Sequence, residues 1–551
     1  MEIPHLWTAI TAAVIFFLAV VCFVPALGER FLRPIENFGS RIAHRKRLSI
    51  FVVAVAPIAI RLSLLWWLPV PVPSVHDEFS YLLAADTFAH GRLTNPPHPM
   101  WIYFETFHVN QHPTYMSKYP PAQGAFLAIG QLLGHPWIGV LLSVGIMCGA
   151  VVWMLQGWLP PRWALLGGAL VVLRLGIFTY WINSYWGGAV AAVGGALVVG
   201  ALPRVMRLRR ARDAVIMALG AAILANSRPL EGLIFCIPVL IALSIWLLSR
   251  RSWPLRETAT RLFLPGGAVL ALAIIFMGYY NWRGTGHPLL FPYVVNSRTY
   301  MTVPQLAWEI GRAPLHYLNP QFDAFYNAQE QEIVAAGKAT SLYRTRLILQ
   351  YDAGRLGSFF LWPELCVPLI ALPWILMDRR VRFLVVQFVF CFLGFLLVVW
   401  FLEHYAAPLT ATLFALVVQG FRHIRRWRFY GYPVGVGISR AVFIACVLLA
   451  AWSTYTARGD IGGEDRARIA RQLERMSGRQ LVLVRYSADH DPNDEWVYNR
   501  ADIDGSKIVW AREIPGVSLQ SLLGYFHDRR VWVVEPDEDD PELAAYAPPS
   551  D

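Results

Sequence analysis

Apolar residues run along this chain in blocks, and polar residues collect between them. Residues 6–27 (LWTAITAAVIFFLAVVCFVPAL) and 262–280 (LFLPGGAVLALAIIFMGYY) are two such blocks, and no charged residue interrupts either. A helix needs roughly 20 apolar residues to cross a hydrocarbon core, so each block predicts a membrane span. The same reading predicts spans near 6–27, 50–70, 137–157, 163–179, 187–203, 213–227, 230–249, 262–280, 357–377, 382–402, 407–421 and 437–457. Residues 122–134 (AQGAFLAIGQLLG) predict a helix too short to cross, placed at the outer interface.

Three polar stretches remain: 71–136, 281–356 and 458–551. The last alternates between periods near 3.6 and 2. It predicts a helix over Glu464–Met476, a strand over Leu481–Tyr486, strands around Trp496–Tyr498 and Ile508–Ala511, a helix over Ser518–Asp528 and a strand over Val531–Val534. Residues 535–551 are acidic and Pro-rich and predict a tail without fixed structure. The fold class is therefore an α-helical polytopic membrane protein of about 12 transmembrane helices with a small C-terminal α/β domain. Three regions follow: an anchor helix and basic loop (1–49), a transmembrane domain (50–457) and the C-terminal domain (458–551).

Composition agrees: 56% of residues are hydrophobic and 15% are charged, whereas soluble chains carry about a quarter charged. The net charge of +11 could point to nucleic acid. The basic residues punctuate apolar segments instead of lining one soluble face, so they read as topology signals and nucleic acid is excluded as a partner. The clusters Arg41/Arg45/Lys46/Arg47, Arg204/Arg207/Arg209/Arg210/Arg212, Arg250/Arg251/Arg256, Arg379/Arg380/Arg382 and Arg422/Arg425/Arg426/Arg428 mark the cytoplasmic side. The three polar stretches then lie outside. The first block lacks a basic residue before it and reads as a retained anchor rather than a cleaved signal. The six cysteines lie in or beside apolar segments and offer neither a disulfide framework nor a metal motif.

Candidate chemistry concentrates in 71–121. A Pro-rich exit delivers Asp77 and Glu78 to the membrane surface, and Phe79, Leu82, Leu83 and Phe88 recur at helical spacing until Gly91. This predicts an amphipathic helix lying flat on the bilayer with two carboxylates at its start. Acids favour that end of a helix, so capping and catalysis both stay open for the pair. The loop also carries His76, His98, His108, His112 and Lys118. In the C-terminal stretch, Trp496, Trp510 and Trp532 read as core aromatics, with stacking on sugars as the other option.

An acidic pair after an early span, a flat helix and Lys118-Tyr119-Pro120-Pro121 resemble the GT-C superfamily. Within it, the chain resembles the bacterial protein-mannosyltransferase-like and aminoarabinose-transferase-like branch. Matching exits follow in order: Asn226-Ser227-Arg228-Pro229, Asn281 through Thr285-Gly286-His287-Pro288 to Pro292-Tyr293, and His404-Tyr405-Ala406-Ala407-Pro408. The resemblance covers about 50–420.

It implies a GT-C-like fold in a bacterial cytoplasmic (inner) membrane, with the working site and the C-terminal domain extracytoplasmic. The implied activity is transfer of a sugar from a polyprenyl-phosphate donor to a lipid, glycan or protein acceptor. Asp77 becomes the general base, since a hydroxyl acceptor needs help losing its proton. Glu78 orients the acceptor or a divalent cation. Lys118 and Arg228 become cations for the donor phosphate, each with snorkelling at the interface as the plainer role, and Arg283 is a third candidate after them. His76, Tyr293, Glu403, His404 and Tyr405 become candidates for the sugar and acceptor pocket.

One departure stands out: relatives often place a second Asp where the chain has Thr179-Tyr180-Trp181-Ile182-Asn183, without an acid. More of the burden falls on Asp77, and a divalent metal stays open as the only cofactor. A lipid-linked polysaccharide polymerase or ligase is a second reading. A transporter or flippase is a third, disfavoured because the distinctive charges sit at the outer interface and not at the midplane.

Overall fold

Most of the apolar blocks fold as helices close to their predicted ranges. The computed structural model describes residues 29–249, 254–306, 309, 311–329, 353–361, 363–399, 401–456 and 463–547. The expected span 6–27 lies outside the described residues, as do parts of the 281–356 and 458–551 stretches. Helices α1 (Glu29–His44) and α2 (Lys46–Ser63) lead to α3 (His76–Ala89) and α4 (Pro121–Leu132). Then come α5 (Pro136–Trp158), α6 (Pro161–Leu175), α7 (Ala189–Leu208), α8 (Ala211–Ala225) and α9 (Pro229–Leu248). Next are α10 (Leu255–Thr285), α11 (Pro292–Tyr300), α12 (Ala353–Phe360), α13 (Arg382–Phe395), α14 (Thr410–Ile424) and α15 (Val434–Thr456).

Five of these, α5, α7, α9, α10 and α15, are long and apolar enough to cross a membrane, and the chain is a multi-pass membrane protein. The expected span at 357–377 is not one straight helix: α12 and the segment Glu364–Met377 meet at 108°. Pro363 stands at that break, where its missing N–H and ring interrupt helical bonding.

α5 and α7 form the buried centre. Gly195 of α7 lets the backbone at Pro408 come so close that a Cβ would sit 2.1 Å from its carbonyl oxygen. The 3₁₀ turn Glu403–Leu409 is thereby held against α7.

Helix α3 corrects one expectation. Its apolar residues are not an open stripe facing lipid: Phe79, Tyr81, Leu83 and Ala85 are all buried. One face packs on the first loop, where Tyr81 stacks on Tyr119 at 4.4 Å. The other is covered by the C-terminal domain, where Phe79 stacks on Tyr498 at 4.2 Å. The Arg466 guanidinium lies 4.6 Å over the Phe79 ring, and Asp86 accepts the Ala501 N–H at 2.8 Å.

The C-terminal domain holds α16 (Glu464–Arg475), α17 (Gln520–Tyr525) and a four-stranded sheet. A two-stranded hairpin in the first loop supplies β1 (Val109–Asn110) and β2 (Met116–Ser117). The sheet strands are β3 (Gln480–Val484), β4 (Ile508–Arg512), β5 (Arg530–Val534) and β6 (Ala544–Ala545), in the order β4-β3-β5-β6. β3 pairs in parallel with β4 and β5, and β6 closes antiparallel on β5.

The strand expected at Trp496–Tyr498 does not form. The Asn499 side chain instead occupies the edge of β4, accepting the Trp510 N–H and donating to its carbonyl. Trp496 and Trp510 are buried in one core with Trp532 packed on it, so the tryptophans serve packing. The acidic tail is also tied down through 547: β6 pairs with β5, and Arg468 holds Asp540 at 2.7 Å.

Candidate functional site

The site begins with the first turn of α3. Val75 is extended and His76 opens the helix. Glu78 folds back in a capping arrangement: its Oε2 accepts the N–H groups of Ser74 (2.8 Å) and Val75 (3.2 Å). Its Oε1 accepts the Tyr185 N–H at 2.9 Å. Burial raises the Glu78 pKa, opposed by those backbone bonds. Glu78 is therefore a tie between α3 and the 185 loop. This corrects its expected place beside acceptor or cation, because both oxygens are already engaged.

Asp77 points elsewhere. Its Oδ1 accepts a short hydrogen bond from the Tyr119 hydroxyl. Its Oδ2 lies 3.9 Å from His108 Nε2, too far for a direct bond. The β1–β2 hairpin creates this neighbourhood, since the Val109↔Ser117 register brings His108 opposite Lys118. Ser80 of α3 clamps the hairpin, donating to the His108 carbonyl at 2.7 Å and meeting Ser117 Oγ at 2.7 Å. His108 itself holds φ at 61°, the left-handed region few side chains adopt.

Lys118 Nζ donates to His108 Nδ1 at 2.8 Å. An ammonium has donors only, so Nδ1 is the acceptor and neutral His108 carries its proton on Nε2, facing Asp77. Burial, then the Lys118 and His76 charges, hold the His108 pKa well below its usual value.

The exit motifs meet next to this triad. Ala122 N–H bonds to Asn226 O at 2.9 Å, Thr114 donates to Gly284 O at 2.8 Å and Asn110 to Pro292 O at 3.0 Å. Between them lies a cavity of about 230 Å³ whose walls include Tyr119, Arg228, Glu231, Tyr293, Gln305 and Tyr405. The Arg228 guanidinium stacks 4.4 Å over the Tyr405 ring. Lys118 Nζ sits 5.1 Å from the Tyr293 ring centre and 5.2 Å from that of Tyr119, both cation–π distances. Burial pushes the Tyr405 hydroxyl up to about 12, against the Arg228 charge, so it stays a donor at neutral pH.

The structure thus brings together Asp77, Lys118, Arg228, Tyr293 and Tyr405. It does not bring the other expected residues there. Arg283 is exposed on α10. His76 is buried, bonds through Nε2 to Pro492 O at 2.7 Å and stacks on Phe107 at 4.5 Å, so it docks the C-terminal domain. Glu403 pairs with Arg355 at 2.9 Å and faces a second cavity. His404 is 1% exposed and its Nδ1 is taken by the Tyr180 hydroxyl at 3.0 Å. Asn183 accepts from the buried Arg61 at 2.8 Å and donates to Ile177 and Thr179 carbonyls.

Two members escaped the sequence reading. Tyr119 occupies the variable place in Lys-x-Pro-Pro, and His108 is one of five histidines in 71–121 with no signal to single it out.

A divalent ion fits poorly here. Asp77 brings one carboxylate, already bonded to Tyr119, and His108 has its Nδ1 occupied. Among the described residues no three His, Cys, Asp or Glu side chains gather closely enough to hold one.

Two buried histidines of the first loop give a pH dependence. Burial lowers the pKa of both His76 and His108 below 6.5. His76 also feels Asp77 and Glu495, which raise it, and Lys118, which lowers it. A histidine with a depressed folded pKa contributes stability that is present above its unfolded pKa and is lost as pH falls through the folded value. The melting temperature is expected to fall from pH 7.5 to pH 5.5, and His108→Gln to flatten that slope. An equal slope in the variant would remove His108 as a cause.

No protein-family model matches the chain, and no curated protein does. Among solved structures it is similar to ArnT from Cupriavidus metallidurans bound to undecaprenyl phosphate, with a TM-score of 0.48 and 14% identity over 88% of this chain and 93% of that one. It is also similar to the Archaeoglobus fulgidus oligosaccharyltransferase in complex with Zn and sulfate, with a TM-score of 0.48 and 12% identity over 88% and 67% of the two chains. For the archaeal oligosaccharyltransferase AglB from Archaeoglobus fulgidus, in complex with an inhibitory peptide and a dolichol-phosphate, the values are 0.45 and 12% over 89% and 69%.

Proposed function

We propose that the chain is a membrane glycosyltransferase. It moves a sugar from a polyprenyl-phosphate donor to a lipid, glycan or protein acceptor on the non-cytoplasmic face, with inversion. One observation carries this reading: Arg228, Tyr293 and Tyr405 wall one cavity, Lys118 stands 5.1 Å from the ring of Tyr293 on that wall, and Tyr119 joins the cavity to Asp77.

In the proposed step the acceptor hydroxyl oxygen attacks the anomeric carbon while the bond from that carbon to the phosphate oxygen breaks. The acceptor proton passes to Asp77 Oδ2, since Oδ1 is engaged by Tyr119. The electron pair leaves with the carrier phosphate, whose charge Lys118 and Arg228 stabilise at the membrane surface. Displacement from the opposite face inverts the anomeric centre. Tyr293 and Tyr405 line the sugar side of the cavity.

The test is release of polyprenyl phosphate from a synthetic polyprenyl-phosphate sugar by the purified protein in liposomes. Solute movement without carrier release would replace the reading with a transporter. Tyr119→Phe is expected to lower kcat about tenfold, through loss of a hydrogen bond to a charged group, with KM for the donor little changed. A wild-type rate in that variant would remove Tyr119 from the machinery.

A further inference from the structure

A second cavity, of about 390 Å³, lies behind the Glu403–Leu409 turn. Its walls come from α6, the break after α12, that turn and α15. Three ionisable side chains from separate segments line it: Arg174, Glu364 and Glu403. Ionisable groups at spanning depth are costly, and a cavity beside a broken helix is where membrane proteins use them.

Glu364 sits at the break between α12 and Glu364–Met377. It is 3% exposed, and its Oε2 has no hydrogen-bond partner among the described residues. Burying such an oxygen unpaired costs free energy, and the residue that carries it lines the cavity. Arg174 is anchored on the Phe359 carbonyl at 2.9 Å, and Arg355 holds Glu403. Tyr180 and Phe359, with ring centres 5.5 Å apart, give the cavity flat aromatic walls.

We propose that this cavity binds the hydroxylated sugar headgroup of an acceptor. Two carboxylates disfavour a phosphate, and Arg174 disfavours a cation. A sugar ring offers hydroxyl donors to Glu364 and Glu403, an acceptor to Arg174 and C–H faces to the aromatic rings. The Glu403–Leu409 turn supplies Glu403 to this cavity and Tyr405 to the cavity beside Asp77, with buried His404 between. One rigid turn therefore forms part of both walls. The assignment as acceptor site rests on the glycosyltransferase reading; binding of a sugar headgroup does not.

The experiment uses full-length protein in phosphatidylcholine nanodiscs and an octyl β-D-glucoside carrying a photoreactive diazirine on the sugar. Labelling is expected in the peptides covering 173–180 and 446–453. Glu364→Leu should reduce it about tenfold, the worth of one bond to a charged acceptor, while Glu364→Gln, which keeps an acceptor, retains most of it. Ala450→Trp, filling the cavity from α15, should abolish labelling independently of Glu364. Competition by octyl glucoside but not by free glucose at the same concentration identifies a lipid-borne headgroup; equal competition identifies a free sugar. Labelling elsewhere, or unchanged labelling in both Glu364→Leu and Ala450→Trp, overturns the proposal. Asp77→Asn should label like wild type, so loss of the transfer reading and loss of this site are separately visible.

Discussion

Replacing Asp77 with asparagine is expected to lower the rate of sugar transfer about a hundredfold or more, the usual worth of a positioned general base. The substitution keeps the shape of the side chain. The asparagine Oδ1 can still accept from the Tyr119 hydroxyl, so the contact that seats residue 77 survives. What is lost is the ability of the second position to take a proton. Binding of the donor should be nearly unchanged, because Lys118 and Arg228 are untouched. The measurement is initial release of carrier phosphate by protein in nanodiscs, with donor affinity read in parallel. A variant within about threefold of wild type would end the role of Asp77 as base.

Arg228→Ala is expected to weaken binding of a short-chain polyprenyl phosphate by about thirtyfold, since a hydrogen bond to a charged group contributes about 2 kcal/mol. Lys118→Ala should cost a similar amount, and the double variant more than either. Arg228→Lys should not restore the wild-type value, because an ammonium lacks the planar fork that meets two phosphate oxygens and stacks flat on Tyr405. Arg283→Ala is the control: that side chain is exposed, and its removal should leave affinity unchanged. Titration of the lipid phosphate into detergent-solubilised protein gives all five values. Wild-type affinity in Arg228→Ala, or equal losses in Arg283→Ala, would refute the assignment.

The parts legible in the sequence were those written locally. Long apolar blocks such as 137–157 and 230–249 became α5 and α9, because hydrophobicity over one span depends on neighbouring residues alone. The exits were readable for a related reason. Pro121, Pro229 and Pro292 each occupy the first turn of a helix, where the missing N–H costs nothing. The residues just before them, including Lys118 and Arg228, were therefore fixed at helix starts.

What failed depended on distant chain. Phe79 and Leu83 looked like a lipid-facing stripe, but their partners are Tyr498 and the sheet core, supplied by the C-terminal domain. Glu78 looked equivalent to Asp77, yet the Tyr185 N–H claims it. Glu403 and Tyr405 are two positions apart and face different cavities. No local pattern distinguishes such neighbours, because the 3₁₀ turn that separates them is set by packing against Gly195.

The bond between Asp86 and Ala501 joins residues 415 positions apart. Chains emerge from the ribosome at about 5–20 residues per second, so α3 waits tens of seconds for the domain that covers it. During that interval the helix carrying Asp77 lacks its outer cover. A chain cut short before β3 would insert its helices yet leave Phe79 and Leu83 bare. A segment made long after the first loop thus completes the housing of that loop, and a product truncated before it would be a membrane protein without a finished site.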